Sequence, residues 1–254
     1  EVGFAVFTNV YNQYQNNYII ILARGGSKRI KNKNLKKING ISLVLQKIKD
    51  AKKANIGKVF LSTNSSKIKN IGYKNNILII DRPQNYSSAK ATTFSSILNF
   101  LRILKKKYPL PKYLTILPPT YPFLKVSTIQ KCYKKIIKAQ KFDSISAYTK
   151  SNVHPFTMII KKKDQLFFDK VRFLNFKPKN FERTQDWPEI FNNSAAIRIT
   201  KVKYFLPFIK NKSSKLVNFT FNKRSSIGFE ITKKEAFDIN NSHDLSKARK
   251  IKNK

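Results

Sequence analysis

The residues of this chain that are best suited to chemistry form a glycine-rich turn with basic side chains around it. Gly25 and Gly26 allow the backbone to bend and to approach a ligand closely, because neither residue has a Cβ atom. Backbone N–H groups freed in such a turn can bind an anion, and Arg24, Lys28 and Lys33 add positive charge. The turn therefore predicts a phosphate-binding loop, although a lysine-rich turn with no ligand has a similar composition.

An apolar run from Tyr18 to Leu22 leads directly into this turn. Continuous β-branched runs are typical of a strand that is buried on both faces of a parallel sheet. Ligands of such sheets bind beyond the carboxyl ends of the strands. Because Arg82 and Pro118 follow two further predicted strands, we expect them at the same edge of the sheet as Arg24.

Predicted strands and helices alternate along the first part of the chain. The strands are predicted at 18–22, 58–62, 76–80, 113–117 and 144–148, and the helices at 41–54, 65–73, 92–108 and 127–139. This alternation predicts an α/β fold in which a mostly parallel sheet is the middle of three layers.

The pattern changes after residue 150. A hairpin is predicted from 157–160 and 165–168, strands at 195–199 and 216–221, and a final helix at 242–251. We expect one domain over residues 18–254, with a small inserted lobe at about 150–195. Residues 1–17 are rich in aromatic residues and asparagine, and we expect them to form an extension outside this fold.

The composition is that of a strongly basic globular protein. Of its 254 residues, 41% are hydrophobic, and the formal net charge is +39 at pH 7. No apolar run approaches the roughly 20 residues that are needed to span a membrane. The single cysteine, Cys132, has no partner for an internal disulfide in this sequence, which suits the reducing cytoplasm.

The high positive charge invites the hypothesis of nucleic-acid binding. Most of the charge is lysine spread along the whole chain, and no helix-turn-helix, zinc-ligand or aromatic RNA-binding motif accompanies it. We therefore expect solvated surface lysine on an ordinary enzyme, with no specific nucleic-acid partner. A basic protein that binds polyanions or nucleic acid is the alternative from a different class.

Residues 21–34, ILARGGSKRIKNKN, resemble the nucleotide-binding signature of the acylneuraminate cytidylyltransferase family. That signature reads PARGGSK, then a short basic spacer, then KN, and Leu22 stands here in place of its proline. Six further segments resemble family motifs in the same order along the chain. They lie at 59–64, 81–83 with 91–93, 117–122, 154–156, 183–188 with 191–195, and 235–240 with Asp244.

The resemblance implies transfer of CMP from CTP to a sialic-acid-like nonulosonic acid, with release of pyrophosphate. It also implies a fold of the nucleotide-diphosphosugar transferase type, a Mg²⁺ cofactor and a homodimer formed through the lobe. A cytoplasmic location with no membrane partner follows from the same resemblance. In the implied reaction the anomeric hydroxyl attacks the α-phosphorus of CTP, and cations already in place must meet the developing negative charge.

The resemblance also assigns roles to particular residues. The nucleotide-binding set is Ala23, Arg24, Gly25, Gly26, Ser27, Lys28, Lys33, Asn34 and Arg82. The sugar-binding set is Thr120, His154, Arg183, Gln185, Phe191 and Asn193. The metal ligands are Asp238 and Asn240, and the catalytic residues are Arg24, Lys28 and Asp238. Two alternatives stay open, with Asp238 as an acid near a helix N-terminus and His154 as an ordinary loop residue.

Several positions lack the polar group that the family carries. Asn64, Ala89 and Asn240 stand where aspartate is usual, Pro118 replaces glutamine and Thr157 replaces lysine. Asn240 removes a negative charge from the predicted metal site. Pro118 and Thr157 would weaken recognition of an acidic sugar. The alternative within the same fold is therefore a catalytically impaired homologue that still binds nucleotide.

Overall fold

The computed structural model describes residues 16–88, 91–154, 160–162, 165–167, 183–210 and 225–251. The strands are β1 (Asn17–Leu22), β2 (Lys37–Ile38), β3 (Ile41–Ser42), β4 (Lys58–Thr63), β5 (Leu78–Asp81), β6 (Tyr113–Ile116), β7 (Ser144–Lys150), β8 (Ile160–Lys162), β9 (Gln165–Phe167), β10 (Phe191–Lys201) and β11 (Ser226–Glu230). The helices are α1 (Leu43–Ala54), α2 (Ser66–Lys74), α3 (Thr93–Lys105), α4 (Val126–Lys138), α5 (Leu206–Lys210) and α6 (Ser242–Lys250).

Within the described residues, seven strands form the central sheet, in the order β11-β7-β10-β6-β1-β4-β5. Neighbouring strands pair in parallel except β10, which runs antiparallel to both β6 and β7. The predicted mostly parallel α/β sheet is therefore confirmed. The carboxyl ends of β1, β4, β5 and β6 meet at one edge, which is where sheets of this kind bind ligands.

The central position of β1 follows from its sequence, which is apolar on both faces. Ile19 and Ile21 pack into one cluster with residues of α1 and α4. Ile20 packs on the opposite face with residues of α3. All three isoleucines are wholly buried, so the sheet is the middle of three layers. The glycine-rich turn begins where this buried strand reaches the edge of the sheet.

Two boundaries differ from the sequence prediction for identifiable reasons. Ser42 caps α1 by accepting a hydrogen bond from the Leu45 N–H, so the helix begins only after the cap. Asn76 has a left-handed φ of 53°, and the Ile77 N–H donates to the Gly72 carbonyl. The chain therefore completes the end of α2 before β5 can begin.

Strand β11 has no counterpart in the sequence prediction. It pairs in parallel with β7 at the end of the sheet. Gly228 interrupts its apolar pattern, and a Cβ atom there would lie 2.3 Å from the Tyr148 ring. The strand is thus defined by a neighbour that is distant in sequence, and a short interrupted pattern does not reveal it. The predicted strand at 216–221 lies outside the described residues.

The predicted extension and the predicted lobe are described only in part. Residues 1–15 lie outside the described residues, while Asn17 already belongs to β1 and its buried side chain donates to the Ile56 carbonyl. In the lobe, β8 and β9 form an antiparallel hairpin. β10 pairs with β7, with an irregularity between Ser194 and Arg198. Among the described residues, no helix has the length and apolar character needed to cross a membrane.

Candidate active site

A cleft of about 240 Å³ opens at the edge of the sheet where β1, β5 and β6 end. Its walls come from the turn after β1, the segment after β5, the start of α3 and the loop after β6. Six of the predicted site residues line it: Arg24, Ser27, Lys33, Asn34, Arg82 and Thr120. The cleft therefore lies where the sequence places the phosphate-binding loop, and where ligands of open α/β sheets bind.

Two side-chain amides hold the glycine-rich turn in place. Asn34 donates through Nδ2 to the Arg24 carbonyl at 2.9 Å. Asn64 accepts at Oδ1 from the Gly25 N–H at 2.9 Å, and it donates through Nδ2 to Gln84 Oε1 at 3.2 Å. A carboxylate can accept but not donate, so an amide suits both contacts. The asparagine at position 64 therefore has a structural role in this chain.

The two glycines of the turn have different surroundings. A Cβ atom added at Gly25 would lie 2.9 Å from the Ser65 Cβ, closer than side-chain carbons pack. One added at Gly26, which is exposed, would have no heavy atom within 4 Å. Glycine is therefore required at position 25 because the turn lies close to the segment after β4.

Two guanidinium groups supply positive charge to the cleft. Arg24 donates through Nη1 to the Ser88 carbonyl at 2.7 Å. Arg82 is only 6% exposed and donates to the Ser62 Oγ and carbonyl oxygens at 3.2 and 2.9 Å. Burial, and to a lesser extent the charge of Arg24, lower the pKa of Arg82 to about 10. Arg82 is still cationic at neutral pH, so its charge is in place before an anion binds.

Lys33 connects the turn to the C-terminal part of the chain. Its Nζ donates to the Ile239 carbonyl at 2.9 Å, although the two residues are 206 positions apart. Burial lowers the pKa of Lys33, and the carboxylate of Asp238 opposes that effect. The glycine-rich turn and the Asp238 segment therefore lie next to each other.

One carboxylate oxygen of Asp238 is left without a hydrogen bond. Oδ2 accepts from Asn240 Nδ2 at 2.9 Å, whereas Oδ1 is buried and makes no hydrogen bond among the described residues, although the Tyr121 phenol lies beside this carboxylate. The adjoining Ile239 N–H donates to the carbonyl of Thr120, a residue of the cleft wall, at 2.9 Å. Buried polar atoms nearly always have partners, so the oxygen marks a place where an ion or water fits.

The alternative role of Asp238, as an acid at a helix N-terminus, is taken by other residues. Asn241 caps α6 by accepting from the Asp244 N–H at 2.9 Å. The Asp244 carboxylate in turn accepts from the Asn240 and Asn241 N–H groups at 2.9 and 3.0 Å. This reciprocal capping box provides hydrogen-bond acceptors for backbone N–H groups at the start of α6. Asp238 takes no part in it.

The donor set around Asp238 fits a cation that arrives with a nucleotide. The described residues contain no group of three or more histidine, cysteine, aspartate or glutamate side chains that could hold a metal ion. Mg²⁺ ordinarily binds through one or two carboxylates and completes its shell with substrate phosphates and water. The free Oδ1 of Asp238 and the amide oxygen of Asn240 match the protein's share of such a shell.

Glu235 fixes the Asp238 segment against the start of α4. Its Oε1 accepts from the Lys125 N–H and the Thr128 hydroxyl, and its Oε2 accepts from the Thr232 N–H and hydroxyl. Burial raises the pKa of Glu235, but these hydrogen bonds outweigh it and the pKa is lowered from its usual value. The residue is 4% exposed, so its carboxylate is a buried anchor for the loop that carries Asp238.

The predicted sugar-binding residues other than Thr120 do not line the cleft. The ring of His154 lies 4.7 Å from that of Trp187, and its Nε2 lies 3.2 Å from the Pro188 carbonyl oxygen. Phe191 is exposed and packs edge-on at 4.9 Å against Tyr148. These residues lie where β7 and β10 extend together, and their role in sugar binding stays a prediction.

The remaining sugar-binding candidates lie close to these aromatic residues. Asn193 is exposed on β10, opposite Tyr148 of β7. Arg183 and Gln185 are exposed in the short turn before β10, and the guanidinium of Arg183 donates to Gln185 at 3.0 Å when the Gln185 amide is turned so that its oxygen faces Arg183. The structure therefore places these predicted residues on or beside β7 and β10, outside the lining of the cleft.

Four predicted nucleotide-binding residues also lie outside the cleft lining, namely Ala23, Gly25, Gly26 and Lys28. Ala23 is wholly buried, and its N–H donates to the Ser62 carbonyl at 3.0 Å, so it continues the strand. Lys28 is exposed. Of the positions that depart from the family, Pro118 lines the cleft, whereas Ala89 and Thr157 lie outside the described residues.

Comparison with known proteins identifies the family. The sequence pattern described as cytidylyltransferase matches residues 18–254. The chain belongs to the cytidylyltransferase family. The resemblance carried by residues 21–34 and the six ordered segments is therefore confirmed at the level of the family.

Two relatives align with most of the length of this member of the cytidylyltransferase family. The post-translational flagellin modification protein B of Campylobacter coli is 24% identical over 228 residues, which cover 89% of this chain and 90% of the relative. A pseudaminic acid cytidylyltransferase of Campylobacter jejuni is 24% identical over 236 residues, which cover 92% of this chain and 94% of the relative.

Solved structures show the same fold at lower sequence identity. The CMP:2-keto-3-deoxy-manno-octonic acid synthetase complexed with CTP has a TM-score of 0.65 and 12% identity, covering 92% of this chain and 97% of that one. A 4-diphosphocytidyl-2C-methyl-D-erythritol synthase of Anaerococcus prevotii has a TM-score of 0.62 and 16% identity, covering 95% and 97%. These matches support the predicted nucleotidyltransferase fold.

Part of the cleft wall had no predicted site role, although residues 91–93 lie in one of the segments that resemble the family. Tyr86, Thr92, Thr93 and Ser96 line the cleft from the segment after β5 and the start of α3. Thr92 caps α3 by accepting from a backbone N–H, and the Ser96 hydroxyl donates to the Tyr86 carbonyl at 3.2 Å. The available signal was the cluster of hydroxyl residues at a helix start that follows Arg82. Such a cluster also occurs at ordinary helix caps, so it does not by itself indicate a site.

Proposed function

We propose that this protein transfers CMP from CTP to a nonulosonic acid and releases pyrophosphate. The observation that carries the proposal is the contact between Lys33 and Ile239, because it joins the glycine-rich turn of the cleft to the segment that carries the Asp238 carboxylate. Membership of the cytidylyltransferase family and the likeness to pseudaminic acid cytidylyltransferase support it. The catalysed step is attack of the sugar's anomeric hydroxyl on the α-phosphorus of CTP.

The nucleotide end of the cleft has the charge that this step needs. Arg24, Lys33 and Arg82 line it, and Arg82 is held in place by two hydrogen bonds to Ser62. Negative charge develops on the transferring phosphoryl group and on the leaving pyrophosphate, so cations held in advance lower the barrier. In this proposal Ser27 and Asn34 support the same turn, and Lys28 contacts the triphosphate from the solvent side.

We assign the Mg²⁺ ligands to Asp238 and Asn240. The free Oδ1 of Asp238 supports the assignment, since it is a buried oxygen that makes no hydrogen bond among the described residues. The ion would neutralise phosphate charge and orient the leaving group. Asn240 keeps an amide oxygen for this role but contributes no charge, so Asp238 supplies the only formal charge of the pair.

The sugar end and the assembly are assigned by the family resemblance. We propose that Thr120, His154, Arg183, Gln185, Phe191 and Asn193 contact the sugar or its neighbouring protomer. The lobe at about 150–195, which contributes several of them, would form the interface of a homodimer. A cytoplasmic location, where nucleotides are available, belongs to the same proposal.

Pyrophosphate release tests the function directly. The purified protein is incubated with Mg²⁺, a panel of nonulosonic acids and each of CTP, UTP, ATP and GTP in turn. We expect release that requires both CTP and one class of sugar, and that is lost in the Asp238→Asn variant. Release that is independent of the sugar, or equal with all four nucleotides, would contradict the proposal.

A second candidate function is nucleotide binding without turnover. It is favoured by Asn240, which donates its amide N–H to Asp238 instead of adding a second carboxylate. In that case CTP would stabilise the folded protein, but no sugar in the panel would give pyrophosphate. The same experiment, combined with a thermal-shift measurement for each nucleotide, therefore separates the two functions.

A further inference from the structure

A lysine with no exposure to solvent lies next to the cleft wall. Lys47 of α1 has a relative exposure of 0% and is among the largest fully buried side chains of the described residues. Lysine is almost never fully buried unless its charge is paired. Neither the phosphate-binding turn nor the Asp238 segment contains it, so the proposed mechanism gives it no direct part.

The ammonium of Lys47 has two partners. It donates to Asp50 Oδ2 at 3.2 Å and to the Tyr121 carbonyl at 2.9 Å. Burial lowers the pKa of Lys47, and Asp50 opposes that effect. Asp50 lies in the same helix and also accepts from the Gln46 amide at 2.8 Å. The ion pair is therefore local to α1, whereas the bond to Tyr121 spans 74 positions of the sequence.

The free energy of unfolding does not by itself explain why α1 contains the buried Lys47–Asp50 ion pair. Replacing a buried ion pair with apolar side chains of similar volume is often neutral or stabilising, because the desolvation penalty is removed along with the attraction. The residues Val44, Ile48 and Ala51 of the same helix pack in the apolar core that α1 shares with the sheet, so an unbranched apolar side chain would have similar surroundings there. The specific consequence of the charge is the fixed position of the Tyr121 carbonyl.

The Tyr121 carbonyl lies in the loop that contacts the Asp238 segment. The preceding residue, Thr120, accepts from the Ile239 N–H at 2.9 Å and lines the cleft. Tyr121 itself is 7% exposed, and the charge of Asp238 contributes to the raised pKa of its phenol, after burial. A shift of the Tyr121 backbone would therefore move the surface against which Asp238 and Ile239 are packed.

We propose that Lys47 is a positioning residue, whose ammonium fixes the loop after β6 and thereby the placement of Asp238 beside the cleft. This proposal rests on the proposed role of Asp238 at the metal. In it, the buried Lys47 of α1 holds in place the loop against which the Asp238 segment packs. Lys47 contacts neither nucleotide nor metal in this scheme. Its effect should therefore appear in the metal dependence and in kcat, and not in the binding of CTP itself.

A double variant tests the proposal without leaving a buried charge unpaired. Lys47→Met with Asp50→Leu removes both charges and keeps apolar volume, so we expect it to fold. The Mg²⁺ concentration for half-maximal turnover should rise about tenfold, the low end of what loss of a supporting contact costs a metal site. The KM for CTP should change little. Asp50→Asn is the matched control, since it removes the ion pair but keeps the Lys47 donor to Tyr121; its folding is verified first, because it leaves the Lys47 ammonium without a carboxylate partner.

Hydrogen exchange provides a second measurement, which does not require catalytic turnover. The Ile239 amide, which donates to the Thr120 carbonyl, should exchange faster in the double variant than in the parent and the Asp50→Asn control. Amides of β1 should be unchanged. If the parent shows no turnover with any sugar, the proposed function fails, and this exchange measurement still decides the role of Lys47.

Two results would overturn the inference. A folded double variant with the parent's Mg²⁺ dependence and Ile239 exchange would show that the pair only fills space. If that variant is unfolded, a second double variant, Lys47→Ala with Asp50→Ala, is measured in the same way. Its smaller side chains leave a cavity and cannot clash with the surrounding core. Loss of folding in both double variants would show that the pair stabilises the fold, and that it is not specific to the site.

Discussion

The ammonium of Lys33 donates a hydrogen bond to the carbonyl oxygen of Ile239 at 2.9 Å. Lys33 follows the glycine-rich turn, and Ile239 lies between the two proposed metal ligands. The contact therefore holds the predicted phosphate site and the predicted metal site within one side-chain length of each other. Phosphoryl transfer with a nucleotide-bound Mg²⁺ requires this proximity, because the ion contacts the phosphates that the turn binds.

CTP should stabilise the protein more than other nucleotides. A ligand that binds only the folded state raises the melting temperature, and at equal concentration the ligand that binds more tightly raises it more. We expect the largest shift with CTP when ATP, GTP and UTP are compared at equal concentration. Equal shifts for all four that vanish with added salt would point to nonspecific binding by surface lysine.

Arg24→Ala should weaken triphosphate binding and leave the fold intact. Arg24 lines the cleft, and loss of one charge-assisted phosphate contact should cost about 1.5–3 kcal/mol. Lys31→Ala is the matched control, because Lys31 is exposed in the same region and the charge change is the same. Calorimetric titration with CTP measures both. Equal affinities for the two variants would show that the turn is not a phosphate site.

Alanine should have opposite consequences at the two glycines of the turn. At Gly25 the new Cβ would meet the Ser65 Cβ, so we expect a loss of about 1–3 kcal/mol in the free energy of unfolding. At Gly26 there is open space, so the free energy of unfolding should change by less than about 1 kcal/mol. Urea denaturation of the two variants measures the difference. Similar losses at both positions would contradict the close approach at Gly25.

Exchanging charge between the proposed metal ligands should shift the metal dependence in opposite directions. Asp238→Asn leaves two amides with no formal charge, so metal-dependent turnover should be lost. Asn240→Asp adds a carboxylate beside Asp238 and should lower the Mg²⁺ concentration for half-maximal rate. Without metal the same variant should be less stable, because two carboxylates would face each other where Asn240 now donates. An unchanged Mg²⁺ affinity in Asn240→Asp would place the metal elsewhere.

The buried carboxylate of Glu235 should make stability depend on pH. Its folded-state pKa lies below the usual value of 4.5, since the hydrogen bonds from Thr128, Thr232 and Lys125 outweigh burial. The stabilisation is therefore complete above about pH 4.5 and is lost as the pH falls through the lower, folded-state pKa. Glu235→Gln should cost about 1–3 kcal/mol at neutral pH, because its amide group faces donors.

Denaturation of the parent and the Glu235→Gln variant between pH 3 and pH 7 measures this effect, with the range chosen to bracket the usual carboxyl pKa. The difference in stability between the two proteins should shrink as the pH falls. A constant difference over the whole range would show that Glu235 does not titrate with a lowered pKa in the folded protein.

The sequence by itself determined the fold class and the nucleotide end of the site. The run from Tyr18 to Leu22 is apolar on both faces, so only the interior of a sheet can bury it. The turn after it contains both glycines between Arg24 and Lys28, and Lys33 follows within the same segment. These features are local, and a local pattern is visible in the sequence without knowledge of which segments meet.

Only the tertiary structure decided which distant segments complete the site. Lys33 and Ile239 are 206 positions apart, and no local pattern records that their segments meet. Strand β11 forms because it pairs with β7. Its own apolar pattern is interrupted and is too weak to predict a strand. Lys47 looks like one more surface lysine in a chain with 52 lysine and arginine residues. Its burial depends on the packing of α1 against the loop after β6, and that packing is a property of the folded chain.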